Sequence, residues 1–287
     1  MRTARVFFLL FFSFIVSAPS HAQWRKSDSL RIVSLLEEAK QLQQKPKNWM
    51  LWFGKKFVGI PYVAGTLDRN DEERLVVNTR QMDCTTFVET AAALTLCASN
   101  GETAFADFCR RLTYVRYTDG QVAYISRNHY YTLWAEANGG KGYVTDICPV
   151  PPFTATKTVD VYWMSTHVAH YRMLAAHPEW QQPIKDMERS ISNHKYRYIP
   201  KNEIKDNALF RATIHDGDII AIITSKKGLD TTHLGIASWH SDGLHLLNAS
   251  SIHKKVVDEP MLLAQYMKKH PSQRGIRVCR VTGAETR

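Results

Sequence analysis

The residue best placed for covalent chemistry in this 287-residue chain is a cysteine at the head of an amphipathic run. In Gln81-Met82-Asp83-Cys84-Thr85-Thr86-Phe87-Val88-Glu89-Thr90-Ala91-Ala92-Ala93-Leu94, the apolar residues Phe87, Ala91 and Leu94 recur at i, i+4 and i+7, which is helical spacing. Asp83 occupies the N-cap position, so Cys84 falls in the first turn. A thiol there meets unpaired backbone N–H groups and the positive end of the helix dipole, both of which favour thiolate. An arbitrary cysteine is more often a small buried hydrophobe, so the reading turns on whether a base and an orienting group stand elsewhere.

Twelve histidines offer many candidate bases. His233 is set apart because it opens the strand-like run His233-Leu234-Gly235-Ile236-Ala237-Ser238-Trp239, directly after the polar loop Gly228-Leu229-Asp230-Thr231-Thr232. The turn Ser241-Asp242-Gly243 leads back into a second run, residues 244–249, which brings Asn248 into register to bond a ring nitrogen. Nucleophile, base and orienting group are what acyl transfer needs, and a helix-borne Cys facing a sheet-borne His and Asn is the arrangement of papain-like hydrolases. His167 and His170 share a face at i, i+3, but no carboxylate completes a zinc set of the H-E-x-x-H kind. Surface histidines are the better reading there, and neither metal nor cofactor is expected.

Ser126-Arg127-Asn128-His129-Tyr130-Tyr131-Thr132-Leu133-Trp134 is dense in aromatic and polar groups. Arg127, His129, Tyr130 and Trp134 are candidates for a wall that binds sugar or peptide, against the plainer alternative of a core-edge helix.

The elements that must position these groups follow from periodicity and breakers. Residues 29–44 read as an amphipathic helix stopped by Pro46, and residues 49–57 as a second, broken at Gly59-Ile60-Pro61-Tyr62. Residues 68–80 are charged, with a short apolar run at Leu75-Val76-Val77. Residues 103–112 and 161–176 read as helices, and residues 122–125 as a strand. Gly139-Gly140-Lys141-Gly142 reads as a loop, and residues 179–212 as polar and mixed apart from an extended stretch at 196–200. Strands are expected at 219–223, 233–239, 244–249, 254–257 and 276–281. A helical first half and an antiparallel second half make the class α+β.

Arg2 and Arg5, an apolar run from Val6 and the small residues ending Ser20-His21-Ala22 have the pattern of a secretory signal peptide cleaved after Ala22. The run is too short to span a bilayer comfortably, so no stable membrane insertion is expected. What remains is about 265 residues, read as a single domain over 23–287 with a helical N-terminal extension. The formal charge of +10 drops to +8 with the loss of Arg2 and Arg5. Export and the lack of any reading motif argue against nucleic acid as partner, and favour an anionic envelope polymer or a merely solvated basic surface. Five cysteines, an odd number, leave at least one without an intrachain partner.

Several of these stretches together resemble a known family. Gly59-Ile60-Pro61-Tyr62, Asp83-Cys84-Thr85-Thr86-Phe87-Val88-Glu89, His233-Leu234-Gly235-Ile236 and Leu247-Asn248-Ala249-Ser250-Ser251 are similar to the NlpC superfamily of bacterial cell-wall cysteine hydrolases. Leu75-Val76-Val77-Asn78 and Ser126-Arg127-Asn128-His129-Tyr130-Tyr131 further resemble its exported N-acetylmuramoyl-L-alanine amidase-like branch. The resemblance spans roughly residues 50–280 and is most specific at the D-C-T-T-F-V-E stretch. It implies a papain-like, NlpC-type α+β fold, with Cys84 as nucleophile, His233 as base and Asn248 as the orienting third member, where many relatives carry histidine. Tyr62 would stand beside the cysteine and assist the oxyanion site. The implied reaction is hydrolysis of the amide between N-acetylmuramic acid and L-Ala, in peptidoglycan or in muropeptide fragments, by a periplasmic monomer without a cofactor. Two alternatives remain: cleavage after D-Glu inside the stem peptide, and a non-catalytic muropeptide-binding module.

Overall fold

A computed structural model of the chain describes residues 22–283. The segment with the signal-peptide pattern lies outside these residues up to position 21, and Ala22 opens the first described strand. No described helix is long and apolar enough to cross a membrane.

The first half is helical. Helices α1 (Lys26–Gln41), α2 (Trp49–Lys55), α3 (Cys84–Ser99) and α4 (Phe105–Arg116) are interrupted only by the short strand β2 (Leu75–Val76), which pairs in parallel with β1 (Ala22–Gln23). Helix α3 is the axis of this half. All twelve residues from Thr86 to Cys97 are buried, as expected of a helix surrounded by packing partners rather than lying on a surface. After α5 (Tyr131–Gly140) come β3 (Val144–Ile147) and β4 (Ala155–Thr158), then the short helices α6 (Trp163–Thr166) and α7 (Arg172–Ala176), α8 (Gln181–Ile191) and β5 (Lys195–Pro200). The remainder is α9 (Ala208–Thr213), β6 (Ile219–Thr224), β7 (Thr231–His240), β8 (Gly243–Ser250), β9 (Lys255–Asp258), α10 (Leu263–Lys268) and β10 (Gln273–Val281).

One sheet, antiparallel in every pairing, runs in the order β4-β5-β10-β6-β7-β8-β9, and β3 pairs with β10. Strand β6 is buried along its whole length, which is why Ile219-Ile220-Ala221-Ile222-Ile223 reads as an unbroken apolar run rather than an alternation. Ile219, Ala221, Leu234, Ile236, Leu247 and Ala249 pack with α1–α4, whereas Ile220, Ile222, Ala237, Leu246 and Val278 pack with α9 and α10. Helix α2 comes close enough to the sheet that a Cβ at Gly54 would lie 2.8 Å from Leu247 Cδ2 and 2.9 Å from Ile236 Cδ1. A third cluster joins Tyr124 and Tyr130 to the 159–196 insertion.

The mixed α+β class and the strands from β6 to β10 match the expected ones closely. Three expectations change. Residues 122–125 are not a strand: Tyr124–Ser126 is a 3-10 turn whose Tyr124 ring stacks on Trp180, 4.9 Å away. Four apolar residues do not distinguish strand from turn, and this side chain's tertiary partner decides. The helix expected over 161–176 is broken into α6, a 3-10 turn at Val168–His170 and α7. Thr166 Oγ1 donates to the Tyr162 carbonyl at 2.7 Å and His167 Nδ1 lies 3.0 Å from the Trp163 carbonyl. Such side chains compete for the acceptors a continuing helix would use. Gly139 and Gly140, expected in a loop, finish α5. All five cysteines are free thiols.

Candidate active site

Cys84 is the first residue of α3. Asp83 caps the helix reciprocally: its Oδ1 accepts from Thr86 N at 2.8 Å, while Thr86 Oγ1 accepts from Asp83 N at 3.0 Å. The same segment is tied down from the other side, because Met82 N donates to the Pro61 carbonyl and Val63 N to the Met82 carbonyl. Tyr62 forms an isolated bridge with Met82, and its phenol is held above the ordinary tyrosine range by burial first, and then by its acidic neighbours Cys84 and Asp83, whose ionised forms would repel a phenolate.

His233 and Asn248 come from neighbouring strands. In the β7–β8 register Ile236 lies opposite Leu247, so Gly235 falls opposite Asn248 and His233 diagonal to it on one face. The ring Nε2 is 2.9 Å from Asn248 Oδ1. Asn248 Nδ2 donates to the Leu246 carbonyl at 3.0 Å, which turns the amide oxygen toward the ring. Nε2 must then carry the proton, leaving Nδ1 as the free base. The β6–β7 ladder shifts register between Ile222, opposite His233, and Ile223, opposite Thr231. A bulge there bends the strand where it reaches the site.

Cys84, Thr85, His233 and Leu234 line one cavity of about 190 Å³. Among the described residues no direct hydrogen bond links the sulfur to the ring. Burial first, and Asp83 second, push the Cys84 thiol up to about 11, against the lowering effect of the Leu234 amide and of the Thr85 side chain and amide. The expectation of a resting thiolate is therefore reversed: the helix terminus is present, but desolvation and the capping carboxylate outweigh it. Burial also lowers the pKa of His233 below its ordinary 6.5. The resting pair is thiol and neutral imidazole.

His129, Tyr130 and Trp134 of the aromatic stretch form part of the opposite wall. His129 Nε2 is 2.8 Å from the Tyr124 carbonyl, and burial followed by Arg127 lowers its pKa to about 3, so it stays neutral. Tyr130 contributes its ring, since its hydroxyl donates to Glu188 Oε1 at 2.6 Å and accepts from Met164 N. Arg127 lies outside the lining: its guanidinium is buried against Glu73 and, at 2.7 Å, Asp68. Two residues of the site went unremarked as individuals in the sequence. Asp230 joins the walls, its Oδ2 accepting from Thr132 N at 2.7 Å in the first turn of α5 and its Oδ1 from Thr231 N. Glu188, on α8, holds Tyr130 and α6 together. The i, i+4, i+7 spacing of Ile184, Glu188 and Ile191 is the signal that would have found α8.

His240, Asp242 and His245 form a separate group whose ligand atoms lie within 4.8 Å of one another. The two rings stack at 4.1 Å, with His240 Nε2 beside Asp258 and His245 Nε2 beside Asp242. The group stands at the far end of β7, about 23 Å along the strand from His233.

Residues 52–276 match the model of a family described as AmiA-like, N-acetylmuramoyl-L-alanine amidase-like. No protein of curated function matches the chain. A solved N-acetylmuramoyl-L-alanine amidase from Bacteroides uniformis is 37% identical with a TM-score of 0.77, the match covering 82% of this chain and 97% of that one. A Bacteroides fragilis protein described as a candidate xylanase is 38% identical with a TM-score of 0.75, covering 80% of this chain and 100% of the other. A Legionella pneumophila protein at 22% identity and a TM-score of 0.68 shares the fold across 89% of this chain and 94% of its own.

Proposed function

The chain belongs to the AmiA-like, N-acetylmuramoyl-L-alanine amidase-like family, and from that premise we propose that it is a periplasmic cysteine amidase. Its bond is the amide between the lactyl carbonyl of N-acetylmuramic acid and L-Ala, in peptidoglycan or its muropeptide fragments. The observation that carries the cysteine mechanism is the shared cavity of Cys84 and His233, with Asn248 holding the ring in the tautomer a general base needs. A cysteine at the head of a buried helix, packed on an antiparallel sheet that bears the histidine, also supports reading the fold as papain-like and NlpC-type over 23–287. Export rests on the residue pattern of positions 1–22.

In this mechanism His233 Nδ1 takes the Sγ proton as sulfur attacks the carbonyl carbon. The oxyanion is met by the Cys84 N–H, which has no acceptor within its own helix, and by the Tyr62 hydroxyl. Collapse breaks the C–N bond, and His233 returns the proton to the leaving amine of L-Ala. A water activated by His233 then hydrolyses the thioester. A xylanase-type reaction needs two carboxyl groups at the scissile bond. Asp230 is the single carboxylate in the cavity lining, and it is engaged with two backbone amides.

Mass spectrometry of defined muropeptides tests the assignment. The expected products are free N-acetylmuramic acid-containing sugar and a peptide beginning with L-Ala. Release of a peptide beginning with the diamino acid, with L-Ala-D-Glu left on the sugar, instead makes the enzyme a D-Glu-diamino acid endopeptidase with the same three residues. Binding without any cleavage makes it a recognition module.

Because the resting pair is neutral, kcat/KM is expected to rise along an acid limb below pH 6.5 as His233 loses its proton. It should then stay flat until pH approaches the thiol's value of about 11. A fall that begins near neutral pH would instead reveal a preformed thiolate–imidazolium pair. Asn248→Ala is expected to lower kcat about 100-fold with little change in KM, because it frees the ring from its productive orientation. Full kcat in that variant would remove Asn248 from the mechanism.

A further inference from the structure

A second cavity, of about 460 Å³, lies beside the catalytic one and shares Leu229 with it. Its lining holds Lys157, Lys226, Lys227 and Arg274, against Asp160 as the one carboxylate. Lys226, Lys227 and Arg274 are exposed, and none has an ion-pair partner among the described residues. Lys157 Nζ donates to the Thr224 carbonyl at 2.7 Å, which fixes that ammonium at the cavity wall. Burial, with Arg274 as the nearby cation, holds Lys157 below the ordinary lysine range despite Asp230 and Asp160. The shift is mainly a desolvation effect, so what favours an anion here is the set of three exposed cations and the fixed Lys157 ammonium around one cavity.

The turn that carries the lysines is held firmly. Ser225 N donates to the Ser272 carbonyl at 2.8 Å, and Lys226 N to Thr224 Oγ1 at 3.1 Å. The partition between the two cavities is fixed too: Gly228, at φ +77°, gives its carbonyl to Tyr162 N and Trp163 N at the head of α6. A Cβ at Gly228 would approach the Tyr162 ring to 3.0 Å.

We infer that this basic cavity is the subsite for the carboxylates of the stem peptide, which leaves the aromatic wall of the catalytic cavity for the uncharged sugar. The inference rests on the amidase reading above, since that reaction places L-Ala at the Cys84 sulfur and the rest of the peptide beyond it. Downstream of L-Ala the peptide carries the free carboxylates of D-Glu and of the diamino acid, whereas the N-acetylated sugar carries no charge once its lactyl group is amidated. The chain from His233 back to Leu229 is four residues long, at most about 14 Å when extended, a reach that a stem peptide of about the same length can cover. Four cations around one cavity match several carboxylates on one short peptide, and unpaired surface cations also speed the capture of an acidic ligand.

The test compares two substrates, N-acetylmuramoyl-L-Ala-D-Glu-diaminopimelate and the neutral N-acetylmuramoyl-L-alaninamide. The full chain is used together with Lys226→Glu/Lys227→Glu and Arg274→Glu variants, all at exposed positions. The ratio of kcat/KM for the acidic over the neutral substrate is expected to fall about tenfold or more in each variant, through KM, and to fall in wild type when salt is raised. A ratio equal to that of wild type, or an equal loss on both substrates, overturns the subsite. Independently of turnover, calorimetry with the tripeptide L-Ala-D-Glu-diaminopimelate and the Cys84→Ala chain should show binding that charge reversal weakens to a similar degree. Should wild type cleave neither substrate while the tripeptide still binds in this charge-dependent way, the amidase reading fails and the anionic site stands. Cleavage of both substrates with no charge-dependent binding has the opposite meaning.

Discussion

Cys84→Ala is expected to lower kcat/KM for muropeptide hydrolysis by about 10⁴-fold or more, while the protein folds and binds substrate as before. The side chain is only partly buried at the helix start and Ala keeps its Cβ, so the mutation removes a sulfur from a cavity rather than a methyl group from the core. His233→Ala should cost nearly as much, and the double variant little more than either alone, because sulfur and ring act as one unit in which each is idle without the other. The check is steady-state kinetics on a defined muropeptide, with circular dichroism and substrate binding as controls. Residual activity within tenfold of wild type in Cys84→Ala would refute a thioester path. The neutral resting pair adds a second signature. Alkylation of Cys84 by iodoacetamide should be slow at pH 7 and accelerate steeply toward the thiol's value of about 11. His233→Ala should leave alkylation at pH 7 comparably slow, since no imidazolium holds a thiolate in the wild type.

What could be read from the sequence was what short-range rules encode. The Asp83 cap and the Phe87, Ala91, Leu94 spacing are local, and they place Cys84 at the head of α3 to the residue. The hairpin from His233 to Asn248 has a tight turn at its centre, so its register, and with it the diagonal His–Asn pair, follows from counting. Depth was not legible. A helix terminus favours thiolate in any context, whereas the burial that reverses this at Cys84 depends on how the chain packs around the sulfur, in a cavity walled by residues as distant in sequence as Tyr130 and His233. Helix α8 was overlooked for a related reason. Its central inward residue is a glutamate, which looks like a solvent-facing group until Tyr130, 58 positions earlier, supplies the hydroxyl that makes its burial tolerable. The family comparison is consistent with this division: it places residues 52–276 in an amidase-like family without saying which side chain does what.

Arg127 gives the sharpest test of that division, because the same residue has one role in the composition of its segment and another in the fold. Among aromatics and a histidine it reads as part of a wall that binds sugar or peptide. In the structure its Nε donates to Glu73 Oε1 at 3.1 Å and one terminal nitrogen to Asp68 Oδ1 at 2.7 Å, partners 54 and 59 positions away. Glu73 also accepts from the Tyr117 hydroxyl at 2.6 Å, and the guanidinium lies 4.9 Å over the Tyr124 ring. Burial opposes its charge, but Glu73 and then Asp68 more than compensate, so Arg127 remains a cation at every accessible pH. Arg127→Ala would therefore strand the carboxylate of Glu73, 5% exposed, without its counter-charge. The expected loss is about 3–5 kcal/mol in urea unfolding, the usual cost of breaking rather than replacing a buried pair. A double variant, Arg127→Met with Glu73→Gln, should regain much of it, because no uncompensated charge is left inside. Kinetics separate the two roles. If Arg127 held substrate, KM would rise manyfold under conditions where the variant is fully folded, and stability would barely move. A positioning role predicts the reverse, with a large fall in stability and a KM close to that of the wild type, because the cavity wall formed by His129, Tyr130 and Trp134 survives as long as the network behind it stays folded.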